Sequence, residues 1–193
     1  DDLAPFGSHS GPEFYTYGLS EPFPDLNTTL EPLGAMIGFY KEAAQAYAPT
    51  GFVYIEGEQF SGNLASLANS DDNRLRGFND PDTLGCILEV FSVVANLNPA
   101  SVNIRVENSV SRPGLVFELY ARNFDSNEFD GLFGDNAGTN DIITDLTQET
   151  NAGAYVGNAG EVRIRIVWLP INDEDPSQDG WLHNVDHVRW IIQ

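Results

Sequence analysis

The sequence holds one cysteine, Cys86, and one lysine, Lys41, in 193 residues. A lone thiol excludes an internal disulfide and any thiolate metal cage, and its expected role is that of a small buried hydrophobe. Histidine is almost as scarce: His9, His183 and His187 are the full set of 3, too few for an imidazole-rich zinc site. No apolar run approaches the ~20 residues that span a bilayer. Basic residues number 9 against 29 acidic ones, a formal charge of −20. With no Lys/Arg cluster to offset that charge locally, phosphate backbones and anionic membrane surfaces are repelled, and nucleic acid is excluded as a partner. Apart from Lys41 every basic residue is an arginine. Surplus carboxylate of this kind suits a saline or calcium-containing exterior, where screening removes much of the self-repulsion. The opening Asp1-Asp2-Leu3 carries no initiator Met and no signal-like apolar region, which reads as the mature form of a secreted, extracellular or cell-surface chain.

Hydrophobic residues make up 41% and aromatics 11%, enough for one compact domain with an appendage. Residues 1–31 are punctuated by Pro5, Gly7, Gly11, Pro12, Gly18, Pro22 and Pro24 around the patch Phe14-Tyr15-Thr16-Tyr17, and read as an extended arm. Leu33, Met36, Ile37, Tyr40, Ala44 and Tyr47 then recur at helical spacing between Pro32 and Pro49. This predicts one amphipathic helix over about 33–47. The arm and helix form an N-terminal region, 1–49.

From residue 50 the period changes. Phe52 to Ile55, Cys86 to Ala95, Val102 to Val106, Leu115 to Phe124, Glu161 to Leu169 and Leu182 to Ile192 are short runs rich in β-branched and aromatic residues. Val162, Ile164, Ile166 and Trp168 share one face of a strand and Arg163 and Arg165 the other; Val188, Trp190 and Ile192 likewise oppose His187 and Arg189. Such alternation, with polar connections and no helix between strands, predicts an all-β antiparallel sandwich over 50–193.

Three segments carry a resemblance. Tyr54 through Leu75, with its Ser61-Gly62-Asn63-Leu64 turn and Leu67-Ala68-Asn69-Ser70-Asp71-Asp72 stretch, is similar to the opening of a β-sandwich domain of secreted planctomycete-type bacterial proteins. Gly160 to Ile166 and Trp181 to Trp190 resemble that family's last two strands. The resemblance covers about 52–193 and implies a galactose-binding-like jelly roll in an extracellular protein, a module without known catalysis and commonly with a structural calcium.

The residues themselves offer little chemistry for catalysis. His183 and His187 on one strand lie about 13 Å apart and cannot share an ion, so both are expected at the surface or in turns. Asp186 beside His187 should point to the opposite face, and no Gly-x-Ser-x-Gly elbow occurs. Gly131, Gly134 and Gly138 lie in a Gly/Asn/Asp-rich stretch that reads as a loop. An enzyme is not expected. Calcium is the candidate cofactor, held by Asp173, Asp175 and Asp179 in the acidic stretch 172–180, or around Asp71, Asp72, Asp80 and Asp82. Asn27-Thr28-Thr29 is an Asn-x-Thr sequon.

Two functional expectations follow. One is a non-catalytic structural protein that assembles into filaments or a surface layer, Phe14, Tyr15, Thr16 and Tyr17 of the arm pairing with a sheet edge of a neighbouring copy. The alternative is a calcium-assisted carbohydrate-binding module of a secreted protein.

Overall fold

The computed structural model describes residues 43–171 and 180–193, together with the backbone of two short strands at 14–15 and 39–40. The chain divides into two units, Asp1–Ala43 and Ala44–Gln193. In the first, β1 (Phe14–Tyr15) pairs antiparallel with β2 (Phe39–Tyr40), Phe14 opposite Tyr40 and Tyr15 opposite Phe39.

The second unit contains β3 (Gln45–Tyr47), β4 (Gly51–Glu56), β5 (Glu58–Ser61), β6 (Leu75–Phe78), β7 (Cys86–Val93), β8 (Val102–Val110), β9 (Leu115–Asn123), β10 (Glu128–Asn136), β11 (Ile142–Gln148), β12 (Glu161–Pro170) and β13 (Leu182–Ile192). Two single-turn 3-10 helices, Leu64–Leu67 and Ala152–Tyr155, interrupt the series. One sheet of five strands runs β10-β9-β12-β7-β4; one of six contains β11-β8-β13-β6-β5, with β3 also on β13. Every pairing is antiparallel, the sandwich expected from the alternation.

The two inner faces form one core. Leu88, Val90, Leu119, Ile164, Ile166 and Trp168 come from the five-stranded sheet, and Ile104, Val106, Val185, Val188, Trp190 and Ile192 from the six-stranded one, each essentially without solvent exposure. Each fully buried large apolar side chain contributes about 1.5–3 kcal/mol of transfer free energy, so alternation on long strands outweighs the turn-rich connections. The connections follow local rules. Asn123 Oδ1 accepts from the backbone N–H of Asp125 at 3.0 Å and of Ser126 at 3.1 Å, turning the chain from β9 into β10. Gly57 turns β4 into β5 at φ +84°, where a Cβ would run into the Phe78 carbonyl oxygen.

Two expectations are corrected here. Within the stretch predicted as helix, Phe39–Tyr40 and Gln45–Tyr47 are strands. The reason is tertiary for β3: its three residues pair with Trp190, Ile191 and Ile192. A strand edge that places Tyr47 against the core competes with a helix weakened by Gly34 and Gly38. The stretch read as a loop holds most of β10, with Gly131 opposite Tyr120 and Gly134 opposite Glu118. Glycine there leaves room beside the cross-strand side chains instead of breaking the strand.

Candidate functional site

On the five-stranded sheet the period of two fixes which residues face outward. Val53, Glu89, Arg165, Tyr120 and Gly131 are consecutive cross-strand partners, so one row crosses all five strands. On one side of this row the neighbouring positions place Gly51, Phe91 and Arg163 in register, with Arg122 opposite Phe129 further along the same side. Glu89 is the anchor. It is 6% exposed, and its two carboxylate oxygens accept from Arg163 Nη1 at 2.9 Å and Arg165 Nε at 3.0 Å. The guanidinium side chains remain 40% and 36% exposed.

Each arginine also lies over a ring. The Arg165 guanidinium carbon is 3.9 Å from the Phe129 centroid and that of Arg163 is 5.3 Å from the Phe91 centroid, within cation–π range. Arg122 approaches Phe129 at 5.2 Å and donates to Asn127 Oδ1. The Phe91 ring rests against Gly51, where a Cβ would overlap it. Tyr120 donates to Glu118 Oε2 at 2.7 Å, and that bond, reinforced by partial burial, holds the phenol above its ordinary pKa. The outcome is a partly solvated face of rings and guanidiniums fixed by a submerged carboxylate.

The six-stranded sheet carries a different cluster. Pairing of β13 with β8 shifts register between Val185 and His187, which sets His187 opposite Glu107 and leaves Asp186 as the extra residue. Ala68 bridges to His187, and Asp186 Oδ2 accepts from the Asp72 N–H at 3.1 Å. Arg74 Nη2 donates to Asp72 at 2.7 Å and Asp141 at 2.6 Å. Glu107, Asp186 and His187 are 8%, 2% and 6% exposed. Glu107 Oε2, Asp186 Oδ1, His187 Nε2 and Arg74 Nε have no hydrogen-bond partner among the described residues. Burial pushes the Asp186 carboxyl above its ordinary value, helped by the charge of Glu107 and opposed by the backbone donors of Asp72 and Asp71. Burial also lowers His187, with Arg189 the next cause.

Between the sheets, His183 is fully buried and stacks on Trp168 with centroids 4.3 Å apart. Its Nε2 is 3.0 Å from the Tyr54 hydroxyl, and burial pushes its pKa down to about 3. The Trp168 indole N–H reaches Asn108 Oδ1 at 3.3 Å. Cys86 is buried with its thiol 3.4 Å from the Glu56 carbonyl, and burial pushes it up to about 12. His183, Trp168, Asn108 and Cys86 join the layers and are closed to solvent, which bars a water-borne substrate from them.

The residues singled out in sequence fare unevenly. Both described histidines are buried, contrary to the surface expectation, because the strand bearing them runs through the middle of a sheet. The Asp186–His187 alternation is broken by the register shift, which brings both into one electrostatic cluster. Cys86 is buried as expected. Asp71 and Asp80 cap their own turns: Asp71 Oδ1 accepts from Asn73 N, and Asp80 Oδ1 from Asp82 N and Thr83 N. Among the described residues no group of three or more His, Cys, Asp or Glu is arranged to hold a metal ion. Asp173, Asp175 and Asp179 lie outside the described residues, as do Thr16, Tyr17 and the sequon at Asn27. Phe14 and Tyr15 pair with Tyr40 and Phe39 of the same unit. Arg163 and Arg165 were legible as an outward pair; Glu89, Phe91, Tyr120 and Phe129 were not singled out. The one signal for Glu89 was a lone acid inside the apolar run Cys86 to Val94.

No family model matches the chain, and no curated protein matches it. Solved structures align with most of its length. The carbohydrate-binding module TmCBM61 in complex with β-1,4-galactotriose is 8% identical, with a TM-score of 0.46 over 76% of this chain and 91% of that one. A family 29 carbohydrate-binding module from Piromyces equi is 14% identical, with a TM-score of 0.40 over 78% of this chain and 86% of that one. The Stig cyclase Fisc from Fischerella sp. TAU is 15% identical, with a TM-score of 0.43 over 78% and 89%. At these identities and scores the likeness assigns no ligand or activity to this chain.

Proposed function

We propose that the second unit is a non-catalytic glycan-binding module of a secreted protein, its ligand lying across the outer face of the five-stranded sheet. The observation that carries this reading is the row through Glu89, Arg165 and Tyr120, bordered along one side by Phe91 and Phe129. Extended saccharides need a long, shallow, rigid surface with polar groups that give directional hydrogen bonds and rings that exclude water, and strands supply the rigidity. Gly131 and Gly134 keep the β10 side of this surface low, next to Tyr120 and Glu118. Self-assembly through the arm draws no support, since the backbone of Phe14 and Tyr15 is paired within its own unit. A contribution from calcium at Asp173, Asp175 and Asp179 is a separate matter, read from the melting temperature in millimolar calcium against chelator.

The test is affinity electrophoresis of the full chain through gels containing neutral or acidic polysaccharides. Retardation by at least one polymer is expected, reduced at least about tenfold in affinity by Tyr120→Ala with the urea midpoint retained. Migration unchanged by every polymer would overturn the reading.

A further inference from the structure

Resting on the glycan-binding reading, we propose that the ligand is acidic: a polysaccharide bearing uronate carboxylates, received by Arg163 and Arg165. The first argument concerns what the rings have left to offer. Neutral pyranoses bind sheets largely by stacking on open aromatic faces. Here Arg165 already covers one face of Phe129 at 3.9 Å, and Phe91 is held between Arg163 and Gly51. The usual apolar platform is replaced by guanidinium planes.

The second argument counts donors. A guanidinium has five N–H groups in a fixed fork. Arg163 gives one bond, from Nη1, to Glu89, and Arg165 gives one, from Nε. Neither has another hydrogen-bond partner among the described residues, so both nitrogens of the Arg165 fork stay free. Both oxygens of Glu89 are taken, so the centre of the face holds unspent donors and a saturated acceptor. A planar carboxylate meets such a fork with two parallel charge-assisted bonds.

The third argument is charge. In the row of Glu89 and Arg165 and the adjoining positions of Phe91, Arg163, Arg122 and Phe129, three arginines stand against one acid, 3 − 1 = +2 on a chain of formal charge −20; Glu56 and Glu118 lie together in the next row, on the side away from Arg163. Glu161, at the start of the same strand, lies with its carboxylate against Gly157. Repulsion from the rest of the chain is screened beyond about 8 Å at physiological salt, so the contact is decided by this island. Stacking and the Glu89 bonds fix the arginines beforehand, which lowers the ordering cost of binding.

The experiment compares the full chain on four polymers at physiological salt: polygalacturonate, the same polymer fully methyl-esterified, a neutral galactan, and dextran sulfate. Binding to polygalacturonate is expected, with loss of at least about tenfold on esterification, which removes the charge and keeps the sugar. Arg165→Gln should lower affinity about tenfold or more, and Arg165→Lys, which keeps the charge and loses the fork, should recover only part of it. Urea midpoints of both variants control for folding, and the esterification arm needs no variant. Binding of the galactan or of the esterified polymer as strong as that of the polyuronate would overturn acidic specificity and leave the glycan-binding reading standing. Equal binding to dextran sulfate with Arg165→Lys unaffected would also overturn it, as plain ion exchange. No binding to any of the four overturns the acidic ligand, and retention on other neutral polymers then decides the broader reading.

Discussion

On the six-stranded sheet, Glu107, Asp186 and His187 are nearly withdrawn from water and meet the chain between Ala68 and Arg74, whereas on the five-stranded sheet Arg163 and Arg165 stand about two-fifths exposed above one buried acid. Both places set charged side chains on strands of the same sandwich. Where chain closes over the charges, backbone donors and protonation must carry them, and several of their polar atoms find no partner among the described residues. Where water still reaches them, a shared carboxylate and two rings hold the arginines in place and leave hydrogen-bonding capacity for something else. Burial makes charge a constraint on stability; partial exposure makes it available for recognition.

Acid titration probes this contrast at its strongest. The native His183 pKa, about 3, lies below the ordinary 6.5, so between these values the unfolded chain binds a proton the native chain refuses. Stability from this residue is present above pH 6.5 and is lost as pH falls toward 3, by about 1.4 kcal/mol per pH unit at most. His187, also lowered, acts in the same direction, while the raised Asp186 acts in the opposite one, its stabilisation present at low pH and lost as pH rises through its native pKa. Urea melts from pH 7 to 4 should steepen with acid. The acid limb should flatten in His183→Phe, which keeps a ring on Trp168, and stay unchanged in Arg165→Gln. An equal flattening by both would dissolve the contrast.

Removal of the buried acids comes next. Asp186→Ala strips the acceptor from the Asp72 N–H and should cost about 2–3 kcal/mol in urea, with faster amide exchange at Asp71 and Asp72. Asp186→Asn keeps an acceptor and loses the charge facing Glu107, and should cost clearly less. On the other sheet, Glu89→Gln should cost about 1–2 kcal/mol, because the two arginines it releases are already hydrated in part. The smallest effect belongs to Arg105 and Asp145, an exposed pair at 2.8 Å; Arg105→Ala should shift stability by less than about 1 kcal/mol.

The strands that alternate strictly could be read from residue order alone. Leu182–Ile192 was expected within those bounds, and Glu161–Pro170 extends its expected run by a single residue. What escaped detection depends on partners distant in sequence. Gln45–Tyr47 becomes a strand because Trp190 to Ile192 offer an edge, and Glu128–Asn136 because β9 does, its glycines notwithstanding. The site was half legible. Outward Arg163 and Arg165 follow from period two, but their union through Glu89 needs the register of β7 against β12, which no local pattern encodes. The burial of His187 beside Asp186 needs an extra residue in β13, and a rule of strict alternation places them apart.

That same strand carries a consequence for synthesis. On one edge β13 pairs with β8, and along the other it meets β6, Ala68 and β3 in turn, partners drawn from residues 45–110. A nascent chain that has not yet exposed residue 192 to solvent therefore lacks the middle of its six-stranded sheet, and β3, β6 and β8 emerge as unsatisfied edges. The ribosome must deliver well over a hundred residues before the layer can close, so this fold is expected to form late and in one step, with the window before it open to chaperones and to mispairing.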